Sequence, residues 1–221
     1  MAKTRDSARN ALEILVATKT TIDSLRFAAR DCQACDLYKF ATQTVFGEGA
    51  PKAQVMMVGE QPGDQEDRLG HPFVGPAGKI LDQALKEVGI ERSDVYITNV
   101  VKHFKWSLAE RGKRRIHEKP RTSEILACHP WLERELQIVK PQVLVCLGAS
   151  AAQALLGKGF PVSRERGKWI ESALAPHVIA TVHPSSILRA RDEESRHEQM
   201  QAFIQDLRQV ARVVHKRRVA A

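Results

Sequence analysis

Four short apolar runs divide the chain, at residues 54–58, 95–98, 142–147 and 178–182, each rich in Val, Ile, Leu or Met. Runs this short with no regular polar alternation read as strands covered on both faces, the pattern of a parallel sheet. Between them the spacing turns helical. Over 77–88, Ile80, Leu81, Ala84, Leu85 and Val88 fall on one face, and 123–139 repeats the pattern with a Glu-rich exposed side. Strand and helix therefore alternate, which predicts a three-layer α/β/α fold around a central four-stranded parallel sheet. A helix over 7–29 is expected ahead of this block. Behind it Met200, Phe203, Ile204, Leu207, Val210, Ala211 and Val214 recur at helical spacing, and that helix should pack on the sheet. Its end carries His215, Lys216, Arg217 and Arg218, where positive charge suits the carbonyl end of a helix.

In an open α/β sheet the ligand crevice lies beyond the carboxyl ends of the strands, so the residues after each run carry the most information. The first run leads into Gly59, Glu60, Gln61, Pro62, Gly63 and Asp64, the second into Asn99, the third into Gly148, Ala149 and Ser150, and the fourth into His183, Pro184, Ser185 and Ser186. Singly, each has a purely structural reading: Asn99 and Glu60 as caps, His183 as a satisfied loop histidine before a proline. Polar side chains at four successive strand ends instead predict a single crevice that gathers them.

With 221 residues and 43% hydrophobic content the chain can bury one substantial core, so a single domain over 1–221 is expected. Lys and Arg number 34 against 26 Asp and Glu, a net charge of +8 that favours a polyanionic partner such as nucleic acid without establishing one. The opening MAKTRDSARN has no signal-peptide pattern and no run reaches membrane-spanning length, so a cytoplasmic, membrane-free protein is expected. Cysteines in that compartment are thiols, metal ligands or catalysts in preference to disulfides. Cys32-x-x-Cys35 is a chelating pair; with Cys128 and Cys146 it makes four thiolates, which suit zinc or an iron–sulfur cluster equally by spacing. Cys146, inside an apolar strand, would by itself be a buried inert thiol.

Three segments carry a resemblance: GEQPGDQEDRLGHPFVGPAGKILD (59–82), TNVVKHFKW (98–106) and HPSSILR (183–189) resemble the signature segments of the uracil-DNA glycosylase superfamily. The likeness is to its iron–sulfur family 4 branch and runs from Cys32 to Arg189. It implies that Cys32, Cys35, Cys128 and Cys146 hold a [4Fe-4S] cluster, a structural staple with no required part in bond cleavage. Two departures from family 4 resemble the UdgX subfamily. Gln61 follows Glu60 where a small residue is usual, and the loop after TNVVK is lengthened over 103–120. In that subfamily the KRRIH segment, here 113–117, supplies a histidine that bonds to the deoxyribose after uracil leaves. On its own chemistry Lys113, Arg114 and Arg115 would form a basic loop touching phosphates.

The resemblance implies roles for individual residues. Phe73 would stack on the uracil ring, and Asn99 would accept from N3–H and donate to O4, a pattern that cytosine reverses. Gly59, Asp64 and Arg189 complete the substrate-binding set; Asp64 and Asp67 could equally shape the loop or place a water. His183 would donate to uracil O2 as charge develops there, with Gln61 adding a contact. His117 would be the nucleophile and Glu60 would accept its other ring N–H. Lys113, Arg114, Arg115 and Ser185 would contact DNA. Single-stranded DNA is the expected substrate, because flipping a base from a duplex costs a few kcal/mol. A monomer acting once per molecule is expected. Two rival readings stand beside this: a turnover glycosylase of family 4 in which His117 only meets phosphate, and a non-catalytic, metal-stapled DNA-binding module.

Overall fold

The computed structural model describes residues 21–220 except 111 and 113, with side chains as far as 216. Its strands are β1 (Val55–Gly59), β2 (Val95–Asn99), β3 (Trp106–Leu108), β4 (Arg115–His117), β5 (Val143–Leu147), β6 (Trp169–Ile170) and β7 (His177–Thr181). Its α-helices are α1 (Ile22–Ala29), α2 (Asp64–Leu69), α3 (Pro76–Glu87), α4 (Thr122–Val139), α5 (Ala149–Leu156), α6 (Val162–Glu165), α7 (Pro184–Leu188) and α8 (Glu193–Ala220). Of the helix expected over 7–29, residues 22–29 are helical and 7–20 lie outside the described residues, as does Lys113.

The four apolar runs form the expected parallel strands, but the sheet has five, in the order β2-β1-β5-β7-β6. The extra strand, β6, is two residues long and pairs antiparallel with β7 at the edge. Nothing so short leaves a periodic trace in sequence; its partner defines it. Side chains alternate along each strand, and the two faces bury separate cores. Met56, Val58, Leu144, Cys146, Val178 and Ala180 pack under α1, α4 and α5. Val55, Met57, Val143, Val145, Leu147 and Ile179 pack under α3, α7 and α8. Both faces are thus covered, which is why the strands read as unbroken apolar runs. None of the described helices is long and apolar enough to cross a membrane.

This layering delivers the four polar strand ends to one edge. Gly59 and Asn99 are direct partners in the β1–β2 register, and the ladder continues past the strands as Val100 and Val101 donate N–H bonds to the carbonyls of Gly59 and Glu60 at 2.9 and 3.0 Å. The β5 and β7 ends meet at Gly148, which has φ 91° and whose missing Cβ would lie 2.8 Å from His183 Cβ. A side chain there would push the two loops apart.

Candidate active site

The candidate site forms where β1 and β2 end. A Cβ on Gly59 would overlap Asn99 Oδ1 and come within 2.6 Å of Phe73 Cζ, so the glycine is what lets the amide and the ring meet. Phe73 is 5% exposed and holds the left-handed region at φ 55°, a strained position for a large side chain. Glu66 maintains that loop: its carboxylate accepts the Gly63 and Gly75 N–H groups at 3.1 and 2.7 Å, clasping both ends of the turn that presents Phe73. Asn99 is 2% exposed, and its Oδ1 is a buried acceptor with no donor among the described residues. Such a buried acceptor calls for an N–H donor.

His183 closes the pocket from the β7 side, its ring 5.6 Å from that of Phe73. Its Nδ1 accepts the Ser185 backbone N–H at 3.2 Å, which places the proton of the neutral ring on Nε2 and makes that nitrogen a donor. Burial, and then the charges of His117 and Arg189, lower the His183 pKa to about 4. His103, buried with its Nε2 3.0 Å from Thr44 Oγ1, is likewise lowered to about 4 by burial. Both imidazoles are therefore neutral in the folded protein well below the ordinary value of 6.5, whereas the unfolded chain protonates near it. Stability is present above that value and is lost as the pH falls towards 4, by up to about 3 kcal/mol for each ring. The urea midpoint is expected to drop over this window, and His103→Gln to remove a substantial part of the drop; a midpoint unchanged between pH 7 and 4.5 would contradict both assignments.

His117 ends β4, on a hairpin paired antiparallel as Trp106 with His117 and Leu108 with Arg115. Within the lengthened loop expected from sequence, 106–108 and 115–117 thus pair as a two-stranded ribbon. It is latched to the body from two directions. Arg115 donates to Asp64 Oδ1 through Nε and to Asp67 Oδ2 at 2.6 Å, and its guanidinium lies 5.2 and 5.4 Å from the Phe104 and Trp106 ring centroids. Gln61 holds both roots of the ribbon: its amide donates to the Lys105 and Glu118 carbonyls, each at 3.1 Å, and accepts the Lys105 N–H at 3.3 Å. The result is a His117 imidazole with Nε2 3.5 Å from Glu60 Oε1 and a side chain about half exposed at 48%.

The expected residues therefore divide. Gly59, Glu60, Phe73, Asn99, His117 and His183 converge on one crevice. Gln61, Asp64 and Arg115 are instead engaged with one another's elements and hold the ribbon; Asp64 also meets Arg68 at 2.9 Å. Asp64 is desolvated by partial burial, yet its bonds to Arg68 and Arg115 prevail and keep the carboxyl below its usual range. Arg189 and Ser185 sit beside the pocket, with Arg189 Nη1 donating to Ser185 Oγ at 3.1 Å, and Arg114 is exposed. Ser150, one of the strand-end residues but without a role apparent from sequence, donates its hydroxyl to Glu60 Oε2. Sequence reasoning missed Lys102 and Glu135, a fully buried pair behind Asn99, because a lysine three residues past a strand reads as surface charge.

The four cysteines are free thiols on one side of the sheet: Cys32, Cys128 and Cys146 lie in the core under α1, α4 and α5, and Cys35 packs against it. Cys32 Sγ accepts the Trp131 indole N–H at 3.2 Å and Cys128 Sγ the Lys102 backbone N–H at 3.3 Å. Burial raises Cys35 to about 11 and Cys146 to about 12, and Cys128 is raised further by burial. Left alone, these thiols stay neutral; holding them as thiolates takes a cationic centre. Among the described residues no three His, Cys, Asp or Glu side chains are grouped as ligands of a single metal ion.

Asn99, Phe73 and His183 thus stand together at the carboxyl edge of a mostly parallel sheet, and comparison with known proteins says which family carries this chain's sequence. The profile of the uracil DNA glycosylase superfamily matches residues 46–208, and the chain belongs to that superfamily. Within it the chain is similar to Type-4 uracil-DNA glycosylases. That of Thermotoga maritima is 39% identical over 168 residues, covering 76% of this chain and 83% of the relative. That of Sulfurisphaera tokodaii is 38% identical over 176 residues, 76% of each, and that of Archaeoglobus fulgidus 37% over 175 residues, 76% and 83%.

Proposed function

We propose that this chain excises uracil from DNA, taking single strands by preference, and then joins His117 covalently to C1′ of the sugar left behind. Uracil excision is supported by the superfamily membership and the Type-4 relatives. The capture step rests on one observation, the His117 imidazole held against Glu60 at the rim of the crevice by an anchored ribbon. The unpartnered Asn99 Oδ1 suits uracil N3–H, and Phe73 offers its ring to the flipped base. As the C1′–N1 bond breaks, its electron pair passes to uracil, and the His183 Nε2–H is placed to stabilise charge on O2. The sugar is left electron-poor at C1′. Glu60 accepts one N–H of His117 and leaves the lone pair on the other ring nitrogen, which forms the new N–C1′ bond. The carboxylate then balances the imidazolium, while the departed uracil anion takes its proton from solvent. No base stands ready to expel an alkylated imidazole, so one adduct per molecule follows.

The four thiols, with N–H donors on two of their sulfurs, suit a [4Fe-4S] cluster, whose ligands are spread over four irons more widely than those of one zinc ion. When bound it would tie the Cys32–Cys35 segment to α4 and β5 as a brace.

Incubation with a single-stranded oligonucleotide carrying one uracil, read for released base and for a complex that survives denaturing electrophoresis, tests the reading. One adduct per protein is expected. Many uracils released with no stable complex would leave a turnover enzyme in its place, and no released uracil would leave a metal-stapled DNA-binding module. Gly59→Ala is expected to lower excision at least 100-fold in the same assay, since the added methyl displaces Asn99 or Phe73 by contacts tighter than side chains tolerate. Excision within threefold of the parent would place the base elsewhere.

A further inference from the structure

The two oxygens of Glu60 have different neighbours. Oε1 faces His117 Nε2 at 3.5 Å, and Oε2 accepts the hydroxyl proton of Ser150. Glu60 itself leaves the end of β1 on a loop and has three side-chain torsions to fix. Ser150 has one, and it is the second residue of α5, 9% exposed, on a helix seated directly after β5. The Gly148 turn that starts this helix is packed against His183, so Ser150 is placed by the same contact that brings the β5 and β7 loops together. A short side chain at the start of a helix is therefore holding a longer one on a loop.

We propose that Ser150 is the positioning residue for Glu60: by occupying Oε2 it turns the carboxylate so that Oε1 meets His117 and fixes which ring nitrogen carries the proton. Without that bond the carboxylate rotates about its terminal torsion, and the imidazole loses both its orientation and the counter-charge for the imidazolium. Ser150 need not touch the DNA. Its effect passes through Glu60, so it should vanish where Glu60 can no longer act as a carboxylate.

The inference deepens the capture reading and rests on it. Single-turnover adduct formation on uracil-containing single-stranded DNA is measured for the parent, Ser150→Ala, Ser150→Thr, Glu60→Gln and the Ser150→Ala/Glu60→Gln pair. Ser150→Ala is expected to slow capture about 10- to 100-fold, the effect of losing a hydrogen bond to a charged group. More uracil is then released per adduct formed, as water takes the place of His117. Ser150→Thr, which keeps the hydroxyl, restores most of the rate, and Ser150→Ala adds less than threefold to Glu60→Gln. Thermal midpoint and visible absorbance stay at the parent values, as a general structural role would not allow. An unchanged capture rate in Ser150→Ala, or a full additive loss in the Glu60→Gln background, overturns the proposal. If the parent releases uracil but forms no adduct, the capture reading fails by itself. The same cycle scored on uracil release then decides Ser150, non-additivity supporting the pairing with Glu60 and additivity overturning it.

Discussion

His117→Ser is expected to abolish the denaturant-stable complex proposed above while uracil release continues, so that the variant turns over repeatedly. The two halves of the result have separate physical origins. In the proposed reading, base recognition and leaving-group stabilisation fall to Asn99, Phe73 and His183, which lie on elements other than the ribbon that carries His117. Capture needs a lone pair in reach of C1′, and a serine hydroxyl is both shorter than imidazole and far less nucleophilic at neutral pH. The ribbon itself should survive the change, since its anchors are Arg115 on Asp64 and Asp67 and Gln61 on the backbone of Lys105 and Glu118. Water then enters beside Glu60, whose Oε1 has lost the imidazole and can orient it, and hydrolysis completes the reaction. The change is all or none for the adduct on a denaturing gel, with several uracils released per protein in the same tube. An undiminished adduct would remove His117 from the chemistry.

How much of this could be read from sequence follows from what each element depends on. Residues 54–58 and 142–147 announce strands because helices cover both faces of the sheet, so no polar residue interrupts them. The crevice was legible for the same reason: Gly59, Asn99 and His183 follow apolar runs directly, and the topology sends all strand ends to one edge. The ribbon was not. Trp106–Leu108 and Arg115–His117 are three residues each, and they are ordered by contacts with residues about 50 positions away, such as Arg115 with Asp64. For that reason the latch made by Gln61, Asp64 and Arg115 is invisible in sequence: a side chain's chemistry can be read in one dimension, but its partner cannot. The basic KRRIH segment illustrates it best, because its Arg115 is satisfied within the protein while Arg114 is exposed.

Lys102→Met is expected to cost about 3–5 kcal/mol of folding stability, the largest effect of any single change outside the crevice. The ammonium and the Glu135 carboxylate are 1% and 0% exposed and 2.5 Å apart. All three donors of Lys102 Nζ are used, on Glu135, on Thr98 Oγ1 at 2.6 Å and on the Asn99 carbonyl at 2.7 Å, while Glu135 also accepts from Tyr96 Oη at 2.8 Å. Removing the cation leaves a carboxylate sealed from water with only hydroxyl donors, and that uncompensated charge accounts for most of the loss. The double variant Lys102→Met/Glu135→Gln removes both charges and is expected to recover most of the stability, since a buried ion pair and its neutral replacement are often close in energy. Urea unfolding of the three proteins checks this, and a single variant within about 1 kcal/mol of the parent would show that the pair is hydrated. Excision should not recover with stability. The Asn99 carbonyl still lacks its donor in the double variant, and the backbone N–H of residue 102 is the group that meets Cys128 Sγ. One buried lysine thus touches both Asn99 and Cys128. A double variant that folds like the parent yet releases uracil more slowly would separate what the ion pair does for the fold from what the ammonium does for Asn99.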